Sequence, residues 1–175
     1  MERAHQINRT KREIEVKLLT MGDYVKIDYL QRTLKGSLDG ETKKFVQQTL
    51  SKIYETRGMF LEAAKVMKHA ADAEIAERVK VLEFMKSVEL FVKSGYFDEA
   101  DATFRTAVSL VRESEKNVLK NELKKFYISQ AENYERNKKR DYAKRTYEKV
   151  LTLNLDQLEK ANVQKKLLGL YEQLG

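Results

Sequence analysis

Side chains that could do chemistry are scarce in this chain. It has no cysteine and two histidines, His5 and His69, and neither has a helical Glu or His partner at metal-ligand spacing. No glycine-rich phosphate loop, nucleophile elbow or zinc-ligand cluster occurs. Carboxylate pairs such as Asp98 and Glu99 arise by chance among 27 acidic residues. The sequence therefore predicts a protein that is not an enzyme and that uses no metal or cofactor, with His69 on a helix surface.

The composition favours a helical protein. The 175 residues suit one domain or a short repeat array, and the chain has no proline and only seven glycines, too few for the tight turns of a β-sandwich or barrel. No apolar run exceeds three residues, so we expect no membrane span, and the first twenty residues hold no apolar block typical of a secretory signal. These observations predict an all-α protein of the cytoplasm.

The positive charge is concentrated in one stretch. The chain has a net charge of +7, and residues 116–149 hold 11 Lys or Arg against 5 Asp or Glu. The cations are densest in what we call the basic patch: Lys138, Lys139, Arg140, Lys144 and Arg145. This stretch is either a solvated helix face with a charged turn, or an electrostatic surface for nucleic acid, anionic lipid or an acidic peptide.

A repeated pattern organises the chain. Gly22, Gly58 and Gly95 each precede an aromatic residue by two positions and are 36 and 37 residues apart, and a fourth copy has Lys138 in place of the glycine, 43 residues later. A large apolar residue stands four positions before each of these points: Leu18, Tyr54, Phe91 and Tyr134. Small or apolar residues follow, with one polar exception, at +5, +9 and +12: Ile27, Gln31 and Leu34; Ala63, Met67 and Ala70; Ala100, Phe104 and Ala107; Ala143, Tyr147 and Val150.

This spacing predicts helical hairpins. Positions +5, +9 and +12 share one helix face, and the glycine ends the preceding helix where a left-handed residue is needed. Thr10 to Glu13 read as a capping box that starts the first helix. The expected helices are 10–20, 23–35, 41–57, 60–74, 77–94, 98–114, 117–137, 140–153 and 156–174, with the clearest loop at 36–40.

The pattern resembles the tetratricopeptide repeat. Its second half, G-x-Y-x2-A-x3-F-x2-A, is matched by residues 58–70 and 95–107, whereas the first half keeps only its aromatics and the closing proline is absent. The longer repeats are similar to those of the soluble NSF attachment proteins. The resemblance implies one α-solenoid domain over 1–175. It would contain about four antiparallel hairpins, at about 8–36, 41–74, 77–114 and 117–153, and a C-terminal helix, 156–174, that either caps the array or marks where a longer chain was cut; we favour the cap.

The aromatic residues are expected mainly in the core. Eleven of the sixteen Phe and Tyr residues occupy repeat positions that stacking should bury. They are Tyr24, Tyr54, Phe60, Phe84, Phe91, Phe97, Phe104, Tyr127, Tyr134, Tyr147 and Tyr171. Tyr142 lies outside this framework and within the basic patch, so it is the one candidate there for stacking on a nucleic-acid base.

The resemblance also implies a partner-binding groove formed by the first helix of each hairpin. Carried over by position, its candidate side chains are Arg12, Gln48, Lys52, Glu55, Met85, Glu89, Lys93, Lys125, Glu132 and Arg136. Further positions on the same faces are Arg9, Val16, Leu19, Thr20, Phe45, Thr56, Leu82, Val92, Ile128 and Glu135. These residues do not rebuild the clamp that grips acidic chaperone tails.

The groove set mixes apolar side chains with both signs of charge, which suits a peptide or an amphipathic helix of another protein. We therefore expect a non-catalytic adaptor or scaffold module. The alternative is a basic helical module that binds nucleic acid or anionic surfaces through residues 116–149.

Overall fold

The structure is a computed structural model that describes residues 10–174, and most of this range is helical. His5 and Arg9 lie outside the described residues. No strand occurs within the described range, which confirms the all-α prediction, and no helix there is long and apolar enough to cross a membrane. The helices are α1 (Lys11–Leu18), α2 (Asp23–Leu34), α3 (Gly40–Thr56), α4 (Phe60–Ala73), α5 (Glu77–Ser94), α6 (Phe97–Ser109), α7 (Glu113–Arg136), α8 (Arg140–Leu151) and α9 (Gln157–Leu174).

Three of the predicted turns share one backbone conformation. Gly58, Gly95 and Lys138 have φ of 72°, 80° and 57°, the left-handed values expected at the end of a helix. The N–H of the following residue donates to the carbonyl of the large apolar residue four positions upstream of each point, at 2.8 Å for Tyr54, 3.0 Å for Phe91 and 2.9 Å for Tyr134. This hydrogen bond closes a Schellman motif, so the sequence repeat is a structural repeat at these three turns.

The first repeat departs from this pattern, and the prediction of a left-handed glycine is wrong for Gly22. Its φ is −73° and its ψ is 161°, and it serves as the N-cap of α2. Helix α1 already ends at Leu18, four residues earlier, and the Gly22 carbonyl accepts the Lys26 N–H at 2.9 Å to start α2. The glycine therefore begins a helix instead of ending one.

The predicted helix bounds agree closely with the structure, except between α6 and α7. We expected α6 to reach residue 114, but it ends at Ser109, and α7 begins at Glu113 instead of residue 117. The Ser109 hydroxyl donates to the Thr106 carbonyl at 2.8 Å, and the Arg112 N–H donates to Glu115 Oε2 at 3.2 Å. These bonds stabilise the end of α6 five residues earlier than predicted and the start of α7 four residues earlier. At α1, the Thr10–Glu13 capping box is present as predicted.

The core is built from the repeat positions. Ala63, Ala100 and Ala143 are fully buried, as are Ala107 and Val150. The four large upstream residues (Leu18, Tyr54, Phe91 and Tyr134) are also buried. Consecutive helices from α2 to α9 pack against one another, and further contacts join α1 to α3 and α5 to α7. Short connections between packed neighbours are typical of antiparallel helices.

Two of the eleven framework aromatics are exceptions to the predicted burial. Tyr24 is 70% exposed and Tyr171 is 47% exposed, so the expectation that they belong to the core is wrong. Each ring lies on the surface beneath a cation: the Arg57 guanidinium is 5.1 Å from the Tyr24 centroid, and Lys144 Nζ is 5.9 Å from that of Tyr171. Both residues belong to the first and last units of the described range, where fewer neighbouring helices cover them.

Candidate functional site

Three predicted groove residues on α3 and α5 are held together by ion pairs that also involve Lys86, which was not predicted there. We call Glu55, Lys86, Glu89 and Lys93 the α3–α5 charge network. Lys86 Nζ lies 3.0 Å from both Glu55 Oε1 and Glu89 Oε2. Lys93 Nζ lies 3.3 Å from Glu55 Oε1 and 2.6 Å from Glu89 Oε1, and it also faces the Phe60 ring at 5.8 Å.

These contacts fix the charges of the network. Partial burial by itself raises the pKa of the Glu89 carboxyl, but hydrogen bonds from Lys93 and Lys86 outweigh it and lower that pKa below its usual value. Burial by itself lowers the pKa of Lys86, and the hydrogen bonds to Glu55 and Glu89 reverse this and raise it. The carboxylates and lysines of the network therefore neutralise one another, and little unpaired charge is left to bind a ligand.

Met85 is not a groove residue. We predicted it on the partner-binding face, but it is only 4% exposed and packs in a hydrophobic cluster with Val81 and Phe84. Val92, on the same predicted face, is fully buried. Helix α5 is covered by α4, α6 and α7, so it has less free surface than a helix lining an open groove.

A second polar cluster, which sequence reasoning missed, joins α3 to the α4–α5 connection. Lys44 forms an ion pair with Glu74, and its Nζ is 3.8 Å from Oε1 of Glu83, a residue only 5% exposed. Glu74 Oε1 also accepts the N–H groups of Ile75 and Ala76 at 2.9 and 3.0 Å. The carboxylate thus stabilises a connection that has no glycine or proline, which is a structural role.

The predicted groove residue Gln48 belongs to the same cluster. Its Nε2 donates to Glu83 Oε1 at 3.2 Å, so this amide is engaged within the protein. The other predicted groove residues, Arg12, Lys52, Lys125 and Arg136, are exposed, and none of them forms an ion pair with a described residue.

An open cleft of about 530 Å³ separates α7 from α9. We call it the α7–α9 cleft. Glu132 and Glu135 line its α7 side, and Asn162, Lys165 and Lys166 line its α9 side, with Leu170 as an apolar contribution. The structure therefore brings together two predicted groove residues on α7 and six residues of α9 that were not predicted, since Gly169 and Gln173 complete the lining. The α9 residues were missed because α9 was interpreted as a cap.

The charges of this cleft are only partly compensated. Glu135 Oε2 accepts Lys166 Nζ at 2.9 Å and the Tyr147 hydroxyl at 2.6 Å. Burial and these neighbouring carboxylates raise the pKa of Tyr147, which keeps its hydroxyl a donor at neutral pH. Glu132 and Lys165 are exposed and form no ion pair within the described range, so one charge of each sign is available to a ligand.

The basic patch occupies the α7–α8 turn and the first turns of α8. Lys138, Lys139, Arg140 and Arg145 are exposed, and Lys144 is half-buried beside the Tyr171 ring. Arg140 Nε donates to Gln173 Oε1 of α9 at 2.9 Å. Tyr142 is 55% exposed, and its ring centroid lies 5.4 Å from that of Tyr134.

A second pocket, of about 370 Å³, lies beside the basic patch where the three equivalent turns meet. We call it the turn pocket. Tyr96 and Tyr134 contribute rings to it, and its polar lining is Glu62, Lys93, Ser94, Gln130, Asn133, Asn137 and Lys139. Lys139 belongs to both the turn pocket and the basic patch, so the two surfaces are continuous.

No group of three His, Asp or Glu side chains able to hold a metal ion occurs in residues 10–174. His69 is exposed on α4, as predicted.

Comparison with models of protein families, with curated proteins and with solved structures gave no match to this chain. The resemblance to tetratricopeptide repeats therefore depends on the residues quoted above, and the function is argued from the surfaces of the molecule itself.

Proposed function

We propose that the chain is a tetratricopeptide-like α-solenoid of about four hairpins and a terminal helix, and that it acts as a non-catalytic protein-interaction module in the cytoplasm. The equivalent turns at Gly58, Gly95 and Lys138 support the repeat arrangement, since each closes with the same hydrogen bond. The partner is a peptide or an amphipathic helix of another protein.

The α7–α9 cleft is the observation that carries this proposal. It is a concave surface between two helices with exposed charges of both signs at Glu132 and Lys165, and the apolar Leu170 beneath it is only 4% exposed. Such a lining fits a peptide, or the polar flank of an amphipathic helix, that carries charges of both signs. The α3–α5 charge network is closed on itself, so we place the main contact at the α7–α9 end.

Selection from a displayed library of amphipathic helical peptides tests this function. The charge-swapped variant Glu132→Lys with Lys165→Glu keeps the net charge and alters only the cleft. We expect peptides selected on the wild type to lose at least about tenfold in affinity for this variant, because each charge would now face a like charge.

The matched control is Asp72→Lys with Lys65→Glu on α4, where both residues are exposed and neither forms an ion pair with a described residue. This control should keep wild-type affinity. Equal binding to the wild type and to both variants would contradict the cleft as the binding site, and failure to select any peptide would contradict the proposed function.

A further inference from the structure

We propose that the basic patch and the turn pocket together bind single-stranded nucleic acid, a second activity on a different surface from the α7–α9 cleft. The patch would contact the phosphates, the exposed Tyr142 ring would stack on one base, and the turn pocket would accept another. This inference does not depend on the protein-interaction function.

The first argument is uncompensated charge. None of the five patch cations forms an ion pair within residues 10–174; cations such as Lys52 and Lys65 are also unpaired, but the patch places five unpaired cations within eight consecutive residues. Asp141 is the one carboxylate within residues 136–145. A cluster of unpaired cations on a turn attracts a polyanion at long range and gains affinity by releasing its counterions.

The second argument is the backbone at Lys138. The equivalent positions in the two preceding repeats are glycines with φ of 72° and 80°, and Lys138 adopts φ of 57° although its Cβ makes that conformation unfavourable. The nearest heavy atom to a Cβ built on Gly95 is 3.9 Å away, so what disfavours a side chain at this turn is the backbone angle and not lack of space. A cation thus stands at the tip of the turn at a cost in backbone conformation that glycine would avoid.

The third argument is the chemistry of the turn pocket. Its volume of about 370 Å³ is ample for a nucleobase, and its lining combines the exposed amides of Asn133 and Asn137 with the exposed Tyr96 ring, beside the Glu62 carboxylate. The Asn137 amide nitrogen donates to Asn133 Oδ1 at 3.0 Å, which fixes the orientation of both amides and leaves the Asn133 amide nitrogen to donate to a base. Recognition of single strands uses amides that hydrogen-bond to base edges, an aromatic ring that stacks on a base, and a cation that contacts the phosphate.

A flat anionic membrane fits these observations less well. Lipid headgroups require charge on a broad surface, but they have no use for a recessed pocket lined with amides and aromatic rings. The pocket therefore favours nucleic acid over a lipid surface.

Fluorescence anisotropy with labelled single-stranded RNA and DNA of mixed sequence, about 15 nucleotides long, tests the proposal. The affinity of the wild type should fall as the salt concentration rises. The double variant Lys139→Glu with Arg145→Glu should bind at least about tenfold more weakly. The slope of its log affinity against log salt concentration should be smaller by about 1.4, because each lost phosphate contact contributes about 0.7. Tyr142→Ala should lower affinity about fivefold or more while leaving that slope unchanged.

The matched control is Lys65→Glu with Arg105→Glu on α4 and α6, which makes the same change in net charge at two exposed, unpaired positions. Equal losses in the patch and control variants would overturn the proposal, because they would show a response to net charge alone. Binding to phosphatidylserine vesicles without binding to either oligonucleotide would also overturn it. Unchanged affinity in Asn133→Ala would overturn the assignment of a base to the turn pocket.

Discussion

Lys138 adopts the same turn conformation as Gly58 and Gly95, although a lysine replaces the glycine at this position. Its left-handed φ of 57° and the hydrogen bond from the Lys139 N–H to the Tyr134 carbonyl reproduce the turns at Gly58 and Gly95. The backbone hydrogen bonds of the turn therefore determine its conformation, and the type of side chain at its tip can differ between repeats.

Replacing Lys138 by glycine should stabilise the protein. The left-handed conformation disfavours a residue with a Cβ by about 1 kcal/mol, and the greater freedom of glycine in the unfolded chain offsets part of this gain. We expect Lys138→Gly to raise the free energy of unfolding by up to about 1 kcal/mol in urea titrations. Gly95→Ala, at the equivalent turn, should lower it. A less stable Lys138→Gly variant would show that the lysine side chain contributes contacts that outweigh its backbone conformation.

Glu89 should make the stability of the protein depend on acid pH. Partial burial opposes its ionisation, but the bonds from Lys93 and Lys86 hold its folded-state pKa below the unfolded value of 4.5. Its contribution is therefore fully present above the unfolded pKa and is lost as the pH falls through the folded pKa.

Urea titrations between pH 7 and pH 3.5 measure this contribution. Glu89→Gln should be less stable than the wild type at pH 7, and its stability should fall less steeply below about pH 5. Glu172→Gln, at an exposed position on α9, should follow the wild-type profile. Parallel profiles for Glu89→Gln and the wild type would exclude Glu89 as a source of the acid sensitivity.

At the scale of elements, the sequence pattern predicts helices and turns better than it predicts surfaces. The glycine and alanine spacings locate the turns at Gly58 and Gly95 and the buried faces of α4 and α6, because steric demands there restrict the residue type. The predicted α6–α7 boundary differs from the structure because this boundary depends on side-chain hydrogen bonds of Ser109 and Glu115, which many sequences could form.

The candidate site was less predictable than the fold. Glu132 was expected on a binding face and does line the α7–α9 cleft, but Lys165 and Lys166 come from a helix whose packing against α8 is a long-range result. Glu55 and Glu89 were expected to face a ligand and instead face lysines of the same chain. Which charged residues form ion pairs depends on the distances between helices in the folded protein. The spacing of residues within one repeat does not give those distances.

Ala100 provides a direct test of the helix packing within a hairpin. It is fully buried on α6, at the repeat position shared with Ala63 and Ala143. Ala100→Leu should overpack the contact between α5 and α6 and reduce the free energy of unfolding by about 1–3 kcal/mol. Ala102→Leu, at an exposed position on the same helix, should change it by less than about 0.5 kcal/mol. Equal thermal melts for the two variants would show that the repeat register is wrong.

At the scale of the whole molecule, the helices differ greatly in how much of their surface is covered. Helix α5 contributes nine buried residues and contacts α4, α6 and α7. Helix α1 has eight residues, of which only Ile14 and Leu18 are buried. The large hydrophobic cluster extends from α1 to α9, and Phe104 and Phe126 pack against both this cluster and the smaller one.

Native-state hydrogen exchange should follow this difference. Amides of α5 should exchange only through near-global unfolding, whereas those of α1 should open locally, because a helix shorter than about 12 residues has little stability without tertiary contacts. Mass spectrometry of peptides from each helix measures this order. Protection of α1 equal to that of α5 would contradict it.

The unequal repeat lengths determine where the chain can tolerate insertions and deletions. The interval from Gly95 to Lys138 is six residues longer than the preceding one, and α7 has 24 residues where α5 has 18. At about 1.5 Å per residue this makes α7 about 9 Å longer than α5. The turn that follows α7 keeps the same hydrogen bond, from the Lys139 N–H to the Tyr134 carbonyl. The added length of this repeat lies towards the N-terminal end of α7, where Leu119 and Leu123 are buried, and we expect insertions to be tolerated at that end of a helix. The turns at Gly58, Gly95 and Lys138, by contrast, keep one length, because each closes the same hydrogen bond from a backbone N–H to the carbonyl five positions upstream.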